Sequence, residues 1–422
     1  MTVIIYWFRN DLRLADNPAF TQACLKADQL LPVYVHDSKE QEKVYGFERQ
    51  GPHRQNFLRA SLDDLRNQLQ AQGSDLLELS GKSAEVLPQL VKDTAAVAIY
   101  CEQIEAPEEI EQVRIMQEQG VDVEEFWQSS MLDPQHLPFA LEKMPDVFTA
   151  FRRDVERAEL KFAQPMNAPQ QIPMLPAAFP QSSISSCSPQ SEPHPFFLGG
   201  ATAAQAHLSQ YLERRLPDSY KETRNQLIGR DYSSKFSAWL ALGCISARDI
   251  AAQINEYENH YGANDGTYWL WFELLWRDYF RFIHFKYGQK LYRASGLTGV
   301  PVKPSYAPSF EQWRTGTTGT ALVDAGMQEL RQSGYLSNRM RQIVASYWIY
   351  DMKGDWRAGA AWFESQLIDY DVYSNQGNWL YIAGRGTDPR GGRPFNVAKQ
   401  TQDHDPKEIY RKLWLSPANR VL

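Results

Sequence analysis

Glu273 and Arg277 stand four residues apart inside a run of aromatic rings, TYWLWFELLWRDYFRFIHFKYG, at residues 267–288. At helical spacing Trp269, Phe272, Trp276, Phe280 and Ile283 share one broad face, and the two charges lie beside it. Two readings fit. The pair is a surface ion pair of roughly 0.3–0.5 kcal/mol on a helix that buries its rings, or it is set in a flat-ring surface where something planar stacks. Three tryptophans within eight residues bear on the second reading, because a ring so large is seldom fully buried.

Other residues offer chemistry further along. In DYSSKFS, residues 231–237, hydroxyls and free amides at a helix start suit a pyrophosphate, and equally suit a plain serine-rich cap. Asp369 and Asp371, two apart at the end of a helix and followed by Asn375, read as capping or as acid/base machinery. The acidic run CEQIEAPEE, residues 101–109, fits either an amino-pterin ring or a solvated helix start. The four cysteines, Cys24, Cys101, Cys187 and Cys244, show no CxxC spacing and no neighbouring histidines, so neither a disulfide framework nor a metal site is indicated.

The elements that must position these groups fall into two halves. TVIIYWF, LLPVYVHD, SDLLELS, AVAIYCE and VDVEEFW are short apolar runs, with amphipathic stretches at 54–72 and 107–119 between them. Such alternation predicts a doubly wound α/β domain with a parallel sheet over residues 1–130. Its ligand loops belong at the strand ends, residues 9–16, 36–43 and 102–109, and no GxGxxG follows the first strand. Residues 131–200 are read as an interdomain linker, since 162–191 hold no charged residue and are rich in Pro, Ser and Gln. From 201 to 422 three-to-four spacing predicts an all-α domain, with helices at 201–214, 237–242, 247–257, 267–288, 321–333, 337–352 and 356–367.

Charge follows the same division. Residues 1–200 carry 17 Lys and Arg against 29 Asp and Glu, and the remainder 27 against 22, so a balance of −12 is followed by +5. Ten of the twelve tryptophans lie in the basic half. Positive charge with interleaved rings is what a single-stranded nucleic acid site uses. No stretch approaches eighteen apolar residues and the N-terminus lacks a signal-peptide pattern, which leads to the expectation of a cytoplasmic protein that meets no membrane.

Five motifs in order carry a resemblance: WFRNDLRLADNPAF, YKETRNQLIGRDYSSKFSAWLALGCIS, WLWFELLWRDYFRF, GYLSNRMRQIVASY and WFESQLIDYDVYSNQGNWLYIAG. Together they resemble the photolyase and cryptochrome family over nearly the whole chain, and their wording is most similar to the DASH cryptochromes. The resemblance implies FAD bound by Tyr220, Ser233, Ser234, Lys235, Phe236 and Ser237, with Trp269 or Trp271, Glu273, Asn338, Arg341, Asp369, Asp371 and Asn375 around it. It makes Asn375 the residue facing flavin N5, and Trp379 and Trp356 the inner and outer parts of a tryptophan chain for photoreduction. The third chain position falls on Lys303, where Tyr306 or Trp348 are the available substitutes. It also implies a 5,10-methenyltetrahydrofolate antenna in the interdomain cleft, although Gln103 stands at or near the glutamate that faces the pterin.

The activity so implied is blue-light repair of cyclobutane pyrimidine dimers by a deoxyribodipyrimidine photo-lyase acting as a monomer, chiefly on single-stranded DNA. Glu273 and Trp276 meet the lesion, Arg224, Arg339 and Gln400 meet the strand, and Gln342 and Tyr381 replace the Met and Trp common in duplex enzymes. The alternative is a blue-light signalling photoreceptor using the same FAD without repair. Photosensory cryptochromes generally carry a long C-terminal extension, and this chain stops eight residues beyond Trp414, which favours catalysis.

Overall fold

The computed structural model describes residues 1–160, 162–177, 196–301 and 308–416. Five parallel strands form the first half: β1 (Val3–Phe8) and β2 (Gln29–Asp37), then, after a two-stranded hairpin of β3 (Lys43–Val44) and β4 (Phe47–Glu48), β5 (Leu77–Gly81), β6 (Ala98–Glu102) and β7 (Val123–Phe126). Their order is β5-β2-β1-β6-β7, with β1 in the centre paired to β2 and β6. All six residues of β1 are buried. Alternation splits them: Ile4, Tyr6 and Phe8 join the core shared with the helical half, whereas Val3, Ile5 and Trp7 pack under the outer helices.

The outer layer includes the helix Ser83–Thr94, which the sequence reading passed over, as it did Pro18–Lys26. The helices Pro52–Ala71 and Pro107–Glu118 fall where the periodicity put them.

The expected linker divides. Residues 131–160 are part of the globule, with Met131 and Leu132 buried and a helix, Phe148–Arg157, whose Phe148, Phe151 and Val155 enter the core. An arrangement of three apolar residues at that spacing on one short helix is enough to anchor it. Residues 162–177 run over the sheet, where Met174 bridges to Gln29 and the Met166 carbonyl accepts from the Asp16 amide. Residues 178–195, including Cys187, lie outside the described residues.

The second half is helical among its described residues. At its centre the helix Asp265–Tyr287 begins with Asn264 and Thr267 bonding reciprocally to each other's backbone, and ends at Gly288, whose φ of 49° an L side chain resists. The Asp278 carboxylate, buried in this helix, accepts from the amides of Met131 and Leu132 at 2.9 and 2.8 Å. Arg13 donates to the Gly243 carbonyl and Arg248 pairs with Asp16, so the two halves are sewn together beside the sheet's carboxyl edge.

No described helix is long and apolar enough to cross a membrane.

Candidate functional site

A cavity of about 420 Å³ opens in the helical half, and a further chamber of about 200 Å³ shares its wall through Ser237, Asn338, Arg341, Gln342, Asp369 and Asp371. Together they form one two-chambered space of the size small-molecule and cofactor sites have. The aromatic helix gives Glu273 and Trp276 to the mouth. Asn375 and Trp379 line the inner chamber.

Each wall has a local cause. Ser337 accepts from the Met340 amide and starts the helix Asn338–Ser346, whose first turns aim Asn338, Arg341 and Gln342 into the cavity. Asp369 and Asp371 do not end a helix: they occupy the turn between Trp356–Gln366 and Val372–Ala383, and Asp371 caps the latter by accepting from the Ser374 amide at 2.8 Å. The segment 231–237 turns at Lys235, which adopts a left-handed φ of 55°, before the five-residue helix Ser237–Ala241. This turn points Ser233, Ser234, Lys235, Phe236 and Ser237 at the cavity, with Tyr220 beside them.

The charges are strongly conditioned. Arg341 donates to Asp369 Oδ2 at 2.7 Å and to the Leu336 carbonyl. Asp369 Oδ1 is buried and has no partner among the described residues. Burial would raise Asp371, but Arg281, Arg277 and the Ser374 donors hold it well below the usual carboxylate range. Burial lowers Lys235 to about 8; its ammonium lies 3.8 Å from the ring centre of Tyr232 and 4.9 Å from that of Tyr335. Behind it Glu329, bonded by the Tyr410 hydroxyl, is pushed by burial to about 8.

At the mouth, Glu273 pairs with Arg224 across the cavity. It does not pair with Arg277, which donates instead to the carbonyls of Ser129 and Leu240. The ion-pair reading made from spacing alone is therefore wrong about the partner. Trp276 stacks on Phe148 at 3.6 Å between ring centres and 13°, and meets Tyr381 edge-on at 5.7 Å and 82°. Phe148 thus reaches the site from the segment read as linker.

Trp269 and Trp271 do not line the cavity. Trp269 is one turn too near the helix start, under the Arg224 guanidinium at 4.2 Å, and Trp271 projects on another side, toward Tyr268. Arg339 sits behind the mouth, donating to Gln342 and to Asn225, and its Nε, like Gln400 Oε1, is buried without a partner among the described residues. Trp356 is buried away from the chamber and donates to the Ala294 carbonyl at 3.0 Å. Asn375 donates to the Ala360 carbonyl at 3.1 Å, which fixes its amide orientation. Lys303 and Tyr306 lie outside the described residues.

Reasoning from sequence missed Arg393 and Phe395 in the cavity wall. Arg393 donates to Asp388 Oδ2 at 2.9 Å and to the Tyr381 hydroxyl at 2.8 Å. The stretch DPRGGRPF carries an arginine two residues before a ring, but no periodicity marks it.

The donor set fits FAD. The diphosphate requires a cation and amides, which Lys235 and its serine turn offer; the amines and hydroxyls of a dinucleotide require an acceptor, which the unpartnered Asp369 Oδ1 is.

Comparisons with known proteins agree with this geometry. Residues 4–171 match the model of the DNA photolyase family, and residues 269–421 match that of the FAD binding domain of DNA photolyase. Cryptochrome DASH of Gloeobacter violaceus is 45% identical over 427 residues, which is 98% of this chain and 85% of that protein. Among solved structures, a Synechocystis sp. cryptochrome superposes with a TM-score of 0.93 at 40% identity, covering 98% of this chain and 89% of its own. A bacterial class III photolyase from Agrobacterium tumefaciens gives 0.84 at 25% identity, with 98% and 86% covered.

Proposed function

The chain belongs to the photolyase and cryptochrome family, in its cryptochrome DASH branch, and from that premise we propose that it is a blue-light-dependent lyase reopening cyclobutane pyrimidine dimers, chiefly in single-stranded DNA. The observation that carries this reading is the two-chambered cavity itself, with an unpartnered buried acceptor, Asp369 Oδ1, in its wall and Glu273 beside stacked rings at its mouth.

Bound FAD supplies the light-driven electron that opens the cyclobutane ring and receives it back. The chain's own residues hold, orient and exclude. Lys235 neutralises a diphosphate, which restores the charged form that burial disfavours. Asp369 and Asp371 accept from hydroxyl or amine groups, and Asn375, its amide held by the Ala360 carbonyl, presents a neutral polar group that adds no charge. Glu273 accepts from base N–H groups of a lesion turned into the mouth, while Trp276 and Tyr381 give it two faces to rest on. Arg224, Arg339 and Gln400 meet the strand. Trp379 is the first internal electron donor on the chamber wall, with Trp356 next in the family's order.

The preference for a single strand follows from what Tyr381 and Gln342 lack. Pulling a dimer out of a duplex costs a few kcal/mol, on the order of 2–4, and these residues offer less apolar stacking to offset it than Trp and Met do. We further propose a methenyltetrahydrofolate antenna in the interdomain cleft near residues 102–109, where Gln103 donates to Glu105 at 2.6 Å, and a monomeric protein acting in the cytoplasm.

The test is direct. Flavin-loaded protein, chemically reduced and illuminated with oligothymidine containing dimers, should restore thymine absorbance, faster on single strands than on duplex. No restoration, with Glu273→Ala behaving as the unaltered protein, would replace repair by signalling.

A further inference from the structure

The inner chamber is walled by Trp379, and a ladder of indoles starts behind it. The centre of the Trp313 ring lies 6.3 Å from that of Trp379 at 77°, and the Trp348 ring lies 5.4 Å beyond Trp313 at 32°. All three rings are buried to within 2% of their surface. Gly359 is the point at which two of them converge: a Cβ there would come within 2.3 Å of Trp379 Cη2 and 3.0 Å of Trp348 Cδ1. Only the missing side chain lets the indoles approach so closely. Trp348 itself is carried by a π-helical turn, Tyr347–Asp351, an irregularity that often marks function. A second glycine, Gly354, takes the other side of its ring, since a Cβ there would fall 2.0 Å from Cε2.

We propose that the working route for light-driven electron supply in this chain runs from Trp348 through Trp313 to Trp379. The inference rests on the FAD reading above but not on repair. The resemblance places the outermost donor at Lys303, whose side chain is not oxidisable at such potentials. The hydrogen bonds give the ladder a direction. Trp313 donates its indole N–H to the Val344 carbonyl at 3.0 Å and Trp348 donates to the Asp355 carbonyl at 2.8 Å, whereas the Trp379 N–H donates to none of the described residues. A carbonyl oxygen on the N–H stabilises an indole that has lost an electron, so the vacancy is better held at Trp313 and Trp348 than beside the cavity.

The electron count closes. On illumination one electron leaves Trp379 for the flavin, Trp313 refills Trp379, and Trp348 refills Trp313. A thiol in solution is the final donor to the Trp348 end of the ladder, where the Phe310 ring centre lies 5.2 Å from that of Trp348. Two such events convert two thiols to one disulfide and release two protons to water.

The experiment follows indole radical absorption after a flash, and photoreduction by a thiol, in the full flavin-loaded chain without DNA. Trp348→Phe and Trp313→Phe should each lose the long-lived radical signal and slow photoreduction about tenfold or more. Trp362→Phe, which removes a buried indole outside the ladder, should remain near the unaltered rate. A Trp348→Phe or Trp313→Phe protein that photoreduces normally, or a Trp362→Phe protein that has lost both signals, overturns the route. If Trp348→Phe damages the core and sheds flavin, Trp348→Tyr decides: an oxidisable ring in that place should retain a radical, and a flavin-loaded protein without one refutes the proposal. Normal photoreduction with no dimer repair would count against the lyase reading and leave this route standing.

Discussion

Arg224 grips Glu273 across the mouth of the cavity, while Arg277, four residues along the same helix, turns away to the carbonyls of Ser129 and Leu240. Glu273, the residue proposed to meet the lesion, is therefore held by Arg224 at the end of the helix Tyr220–Thr223, and the obvious intrahelical partner serves to join the two halves of the chain.

Glu273→Ala should bind flavin normally and lose about tenfold or more in the rate of dimer opening under saturating light, since the contact removed is one made with the reacting bases. Arg224→Ala should instead weaken single-strand binding and reduce the salt slope by about one. Oligothymidine titrations at several salt concentrations, with repair measured at saturating DNA, separate the two effects.

Arg341→Ala should cost about 3–5 kcal/mol in stability and empty the flavin site, because it strands the Asp369 carboxylate, buried and already short of one partner. Thermal unfolding and flavin content after purification test this. Arg341→Lys should recover only part of the loss, lacking the second donor that reaches the Leu336 carbonyl.

Tyr381→Trp with Gln342→Met should raise repair of duplex dimers relative to single strands by about tenfold, equivalent to about 1.4 kcal/mol of added stacking. An unchanged duplex to single-strand ratio would move the origin of strand preference away from these two positions. The Arg393 bond to the Tyr381 hydroxyl is lost in the same variant, so Tyr381→Phe is the control.

The pH response should carry the mark of Glu329, whose carboxyl burial raises to about 8. A folded value above the unfolded one, about 4.3, means the folded protein binds the extra proton between them. Stability from this group is complete below the unfolded value and is lost as pH rises toward 8. Glu329→Gln should therefore flatten the fall of Tm across that window. An unaltered slope would show that Glu329 is charged in the folded protein, held so by Lys235 and Arg341.

Much of this was legible in residue order. Apolar runs broken by amphipathic stretches marked all five strands of the sheet, and the near-continuous burial of β1, β2 and β6 follows from a sheet covered on both faces. The helix Ala321–Ser333 has the bounds that periodicity gave it. Lys235, Asp369, Asp371 and Asn375, singled out by residue type and spacing together with family motifs, all line the cavity walls.

What spacing along the chain did not reveal was which side of a group faces which partner. Phe148 looked like linker because its neighbours are sparse in apolar residues, yet three of them suffice to seat a ten-residue helix against the aromatic one. Trp269 and Trp271 looked like cavity walls because they belong to the right helix, but one turn of rise and a third of a turn of rotation take them elsewhere. The sequence by itself determined the two-part architecture and the chemical inventory of the site, since both depend on local periodicity and on residue types in short motifs. Only the tertiary structure decided that Glu273 belongs to Arg224, that Arg393 steadies Tyr381, that two indoles converge at Gly359 and that Trp313 meets Trp379, because each joins residues between 11 and 66 positions apart whose meeting is set by how helices pack.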